Sequence, residues 1–154
     1  MGETSILAMM DALAATLKDG LTPPMGVDLH VEPRAFAIAE TPAIDMLITS
    51  PTGLEAGLAG FHQNYGGVPI TVRARVSTAD VYAGEDLLLQ MMDADGDMSI
   101  VATLDADRTL GGVVSDVQWG DGFPWAGYID FPMSDGNGIL LGSTLTLVVM
   151  PEVS

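Results

Sequence analysis

The stretch "VPITVRARVS", residues 68–77, alternates without a break. Ile70, Val72, Ala74 and Val76 fall on one side, and Thr71, Arg73, Arg75 and Ser77 on the other. Successive side chains of a strand point to opposite faces, whereas a helix would scatter these two sets around its axis. The stretch is therefore predicted to be a β-strand with one apolar and one polar face. Such a strand belongs in a sheet covered on one side, which is the habit of antiparallel sheets. Strands of a parallel sheet are usually apolar on both faces.

The rest of the chain fits around this strand. "VDLHVE" sets Leu29 and Val31 against His30 and Glu32, and "AIDMLITS" (43–50) puts Ile44, Met46 and Ile48 on one side. With "PRAFAIAETP" as the loop between them, the two are expected to pair antiparallel. "GVVSDVQW" (112–119) and "ILLGSTLTLVVM" (139–150) are further strands, the last ended by Pro151. Helical spacing links Ile6, Met10, Leu13 and Leu17 behind a cap at Thr4 or Ser5, with Gly20 as the stop. A second helix opens at Ser77 or Thr78, where Ser77 and Asp80 resemble a capping box. Its apolar face carries Val81, Leu88 and Met92, and Gly84 weakens it by about 1 kcal/mol relative to alanine. A shorter helix opened by Ser99 carries Ile100, Val101 and Leu104. Residues 50–68 form a long connection, and 120–138, rich in aromatics, an irregular hairpin.

The element order α-β-β-β-α-α-β-β has few crossover helices. The expected fold is a single α+β domain over residues 1–154. It holds a mainly antiparallel sheet of four to five strands with helices packed on one face. A chain of 154 residues with 48% apolar content can bury the core this needs. No basic segment precedes an apolar run at the N-terminus, so no signal peptide is expected. No apolar run approaches the roughly 20 residues that span a membrane, and no membrane partner is expected.

Charge excludes more than it assigns. Twenty-one acids face five bases, for a net −16. Residues 78–154 carry thirteen acids and a lone base, Arg108. A domain of this sign cannot neutralise many phosphates, so it should not grip nucleic acid or an anionic membrane.

"DADGD" places Asp93, Asp95 and Asp97 at the first three ligand positions of a calcium loop. The loop then needs glycine at position 6 and glutamate at position 12, where this chain has Met98 and Leu104. The segment fits better as a junction: Gly96 in the left-handed conformation ends one helix, and Ser99 caps the next. Asp105 and Asp107 with Arg108 suit a helix-end ion pair. His30 and His62 lack metal-site spacing. Cysteine is absent, which removes disulfides and thiolate zinc sites. Lys18, the only lysine, lies in a helix, so no Walker-type loop exists. "GNGILLG" (136–142) misses the dinucleotide spacing, and no G-x-S-x-G elbow is present. No catalytic residue, metal ligand or cofactor is assigned.

Candidate contacts remain. Arg73 and Arg75 share a polar strand face in a chain poor in bases. They suit either local ion pairs on an exposed sheet or a contact with an acidic neighbouring copy. On the second reading, Arg73→Glu should weaken assembly and leave the monomer folded. Phe123, Trp125, Tyr128 and Phe131 are either core or interface. The oligomer-interface set is thus Arg73, Arg75, Arg108, Trp125 and Tyr128.

The run "VPITVRARVSTADVYAGEDLLLQMMDADGDMSIVATLDADRTLGGVVSDVQW" (68–119) resembles the central region of tail-terminator, or tail-completion, proteins of long-tailed phages of actinobacteria. The likeness lies in a strand with alternating arginines, a helix containing Asp-Leu-Leu, a variable acidic turn, and "DADRTLGG" leading into a strand. It covers about a third of the chain, and the opening helix and closing "LGSTLTLVV" fit the same order. The 50–68 and 120–138 segments lie outside it. The resemblance implies a non-enzymatic virion protein made in the host cytoplasm. It would form a homo-oligomeric ring, typically hexameric, at the neck. Its partners would be the major tail tube protein and the head-side connector or stopper, and DNA would pass through the lumen unbound. Alternatives are a head-completion protein, a tail-tube subunit, or a small acidic enzyme or metal-binding domain.

Overall fold

The structure, a computed structural model, describes residues 5–35, 41–48, 67–77, 81–120, 122–132 and 139–151. Among the described residues three helices, α1 (Ile6–Gly20), α2 (Val81–Met92) and α3 (Ile100–Ala106), accompany six strands. The strands are β1 (His30–Val31), β2 (Ala43–Ile48), β3 (Val68–Val76), β4 (Val114–Gln118), β5 (Ile129–Pro132) and β6 (Ile139–Pro151). They form one sheet in the order β1-β2-β3-β6-β4, with β5 also on β6. The fold is α+β, as expected, but the sheet is mixed and curled and has six strands.

The two longest strands make the centre. β3 runs antiparallel to β6 from Val68↔Val149 to Val76↔Leu141. On its other side β2 pairs from Ala43↔Arg75 to Ile48↔Ile70. The far edge of β6 is shared: β5 pairs with Ile139–Gly142, Trp125 bridges to Leu145, and β4 pairs with Val148–Pro151. Within 120–138, expected to be an irregular hairpin, the one described strand is β5, which pairs with β6 instead; residues 121 and 133–138 lie outside the described residues.

The β1–β2 pair corrects the antiparallel expectation: it is parallel, with His30↔Ala43 and Val31↔Ile44 in register. The His30 N–H donates to the Pro42 carbonyl (3.0 Å) and the Glu32 N–H to that of Ile44 (2.8 Å). A tight turn makes a hairpin, whereas a long connection can carry the chain back to the end where it started. Residues 32–42 are such a connection.

The apolar half of β3's alternation decides where the helices go. Ile70, Val72, Ala74 and Val76 face the same way as Ile44 and Met46 of β2 and Leu145, Leu147 and Val149 of β6, and all are buried. Against them lie Met9, Leu13 and Leu17 of α1, Leu88 and Met91 of α2, and Ile100 and Leu104 of α3. Each leucine buried this way contributes roughly 1.5–3 kcal/mol, so the contact between the helices and this sheet face is a major part of the fold's driving force. No helix among the described residues is long and apolar enough to cross a membrane.

Local signals set the helix ends. Ser5 Oγ accepts from the Ala8 N–H (3.1 Å) at the start of α1, whose last residue is Gly20 with Leu21 as an extended C-cap. Of the expected start of α2, Ser77 is described, and Thr78 and Asp80 lie outside the described residues. Gly84 inside α2 has a packing reason: a Cβ there would sit 2.3 Å from the Ser77 carbonyl oxygen.

Candidate functional site

The polar half of β3's alternation faces away from the helices. Asp45 of β2 stands directly opposite Arg73, which pairs on its other side with Thr144 of β6. One residue pair further, Arg75 lies across from Gly142, and in the other direction Thr71 lies across from Thr146. The register therefore gathers one carboxylate of β2 and two guanidinium groups of β3 on one face of two neighbouring strands.

The contacts are close. Arg73 Nε donates to Asp45 Oδ1 at 2.9 Å, and its Nη2 donates to Oδ2, a bidentate pair. Arg75 Nη2 donates to the same Oδ2 at 3.0 Å. The Thr71 and Thr146 hydroxyls meet at 3.3 Å. Both guanidinium groups lie over the Phe131 ring, 5.8 and 5.9 Å from its centroid. The negative face of the ring is suited to receive the two cations. Gly142 makes room for that ring: a Cβ there would fall 2.7 Å from Phe131.

Burial changes the meaning of these arginines. Asp45 is 1% exposed and Arg75 4% exposed. Burial pushes the Arg75 guanidinium below its ordinary range; Asp45 opposes that and Arg73 reinforces it. The face expected to be an open polar surface is closed at its centre, and the local ion pair is a buried one. In consequence Arg73→Glu would set a second carboxylate beside buried Asp45, so the expectation that this variant leaves the monomer folded is withdrawn. Asp45 escaped the sequence reading. Its signal was an acid within the apolar run "AIDMLI", on the face opposite Ile44 and Met46, which calls for a basic partner.

The other named residues lie elsewhere. Arg108 follows α3 and is partly exposed; its Nε donates to Asp116 Oδ1 (2.9 Å) and its Nη1 to Asp105 Oδ1 (3.1 Å). Its guanidinium also stacks over Trp119 at 5.0 Å. The hydrogen bond to Asp116 is the main reason Arg108 holds its proton above the ordinary arginine range. Burial pushes the Asp116 carboxyl up, but bonds from Arg108 and Gln118 outweigh it and hold the group below the usual carboxylate range. Asp107 accepts from the Gly111 N–H at 3.1 Å and so shapes the turn into β4.

The aromatic segment divides. Trp125 is buried at 5% exposure and belongs to the core, while Phe123 is 66% and Tyr128 48% exposed. The Tyr128 hydroxyl donates to Glu85 of α2 at 2.6 Å, and this bond pushes its pKa up to about 12. The five residues named for an interface therefore do not share one surface patch: two lie on the closed polar face, one in the core, and two are exposed and already bonded within the chain.

The acidic turn joins α2 to α3, but α2 ends at Met92, four residues before Gly96, so Gly96 turns the connection and does not end the helix as expected. Gly96 has φ +106°, and the Ser99 hydroxyl donates to the Asp93 carbonyl (2.6 Å) while accepting from the Ala102 N–H (3.0 Å). Asp93 and Asp95 each accept a backbone N–H, from Ala94 (2.7 Å) and Gly96 (2.8 Å). Among the described residues no group of three His, Asp or Glu side chains is placed to hold one metal ion. His30 lies 3.7 Å from Asp28, and His62 is outside the described residues. No protein-family model matches the chain, and no curated protein is significantly similar to it.

Proposed function

We propose that this chain is a non-enzymatic structural subunit of a long-tailed phage virion. On this reading it is a tail terminator that closes the tail tube at the neck as a homo-oligomeric ring. The supporting observation is the run from Val68 to Trp119. It folds as β3, α2, α3 and β4, in the order the resemblance implies, with α1 before it and β6 closing the sheet. The net charge of −16 suits a lumen through which DNA slides, because attractive contacts with phosphate would hold the duplex back.

The partners on this reading are the major tail tube protein and the head-side connector or stopper. The test is electron microscopy of particles assembled without this chain. Abnormally long tails, or tails without heads, are the expected outcome. Tails of normal length on filled heads would overturn the assignment. Open-ended polymers of the purified chain, in place of closed rings, would assign it to the tube.

A further inference from the structure

The other large feature of the surface is a groove of about 1090 Å3 where α2, α3 and the segment after β4 meet. Leu89 of α2 and Phe123 face it, and they are 47% and 66% exposed. Val101 and Trp119 add apolar wall, and Asp93 and Asp95, both exposed, line it together with Asp105. Arg108 lines it as well, but its charge is committed to Asp105 and Asp116 and its plane to Trp119. A groove that combines exposed apolar side chains with the acids Asp93 and Asp95 is complementary to an apolar side chain flanked by cations.

We infer that this groove docks a basic segment of a different protein, one that presents a leucine or aromatic anchor between lysines or arginines. The inference stands apart from the virion reading, since it rests on this surface alone. Charge argues against a second copy as the occupant. The chain has five basic residues. Four of them already meet carboxylates of their own chain: Arg34 with Asp11, Arg73 and Arg75 with Asp45, and Arg108 with Asp105 and Asp116. A second copy would therefore bring sixteen net negative charges to a groove lined by Asp93 and Asp95, with little to offset them. A segment of opposite sign gains from the same field, and Leu89 and Phe123 supply the apolar anchor site that charge alone would lack.

The test uses the full chain and a labelled synthetic peptide with two leucines one helical turn apart, flanked by arginines. Binding is followed by anisotropy and by the emission of Trp119 in the groove wall. The basic peptide is expected to bind, and the same peptide with glutamates for arginines is expected not to. Phe123→Ser, and separately Asp93→Asn with Asp95→Asn, should each weaken binding by about tenfold. All these positions are exposed, and circular dichroism should show an unchanged fold. If Phe123→Ser unfolds the chain, Leu89→Gln takes its place. The inference is overturned if the acidic peptide binds equally well or if neither variant changes affinity. It is also overturned if the chain self-associates and Phe123→Ser releases monomers, for the groove would then belong to a second copy.

Discussion

Among single residues, Asp45 has the largest expected effect. Its carboxylate accepts from both Arg73 and Arg75, and it is itself 1% exposed. Removing one partner of a buried ionic group costs about 3–5 kcal/mol, because the remaining charge stays away from water. Asp45→Ala is therefore expected to lower the melting temperature by roughly 6–20 °C for a domain of this size. Asp105→Ala breaks an ion pair of the same type, 3.1 Å long, between an Arg108 side chain that is 39% and an Asp105 side chain that is 66% exposed. Water and salt screen that pair, and the expected cost is under about 1 kcal/mol. Thermal denaturation of the two variants side by side checks the contrast. Equal shifts would mean that the triad is not the electrostatic centre its burial implies.

For elements, the informative case is a glycine that propensity alone misjudges. Alanine in a helix interior is about 1 kcal/mol better than glycine, so Gly84→Ala in α2 should stabilise the chain by that rule. In the folded chain a Cβ at this position would lie 2.3 Å from the Ser77 carbonyl oxygen, a backbone atom with no rotamer to change. Overpacking of that kind costs roughly 1–3 kcal/mol. The melting temperature is expected to fall, and a rise of a few degrees would show that α2 can move off the end of β3 at no cost. This case marks the boundary of what the sequence holds. Local patterns carried the alternation of β3, the Ser5 and Ser99 caps and the left-handed Gly96, because each depends on residues within a few positions. The parallel pairing of β1 with β2 was hidden, since alternation fixes a strand's faces and says nothing of its direction. Asp45, Arg73 and Phe131 lie far apart in the chain, and only the β2-β3-β6-β5 register brings them together. The groove was hidden for the same reason: Leu89, Asp105 and Phe123 meet only when three elements pack.

At the scale of the whole molecule the net charge decides how copies meet. A ring of such chains presses like charge on like charge, and four of the five basic residues are already paired within the chain. Repulsion between exposed charges reaches about 10 Å at 0.1 M salt and about 3 Å at 1 M. Assembly of the purified chain at neutral pH should therefore strengthen as sodium chloride is raised from about 0.05 to about 0.5 M. The opposite slope belongs to interfaces built from matched charges, where salt weakens the attraction. Sedimentation velocity across that range reads the sign directly. A rising oligomer fraction places the contact between apolar or uncharged surfaces that must overcome a general repulsion. A falling fraction would mean that acids of one copy find cations on the next, and the self-paired arginines would then have to open on assembly. The same charge sets what passes beside the molecule. At the lowest salt, where any phosphate-binding patch is strongest, duplex DNA should migrate unretarded past the chain. Retardation would reveal a basic surface that the pairing of Arg34, Arg73, Arg75 and Arg108 within the chain does not provide.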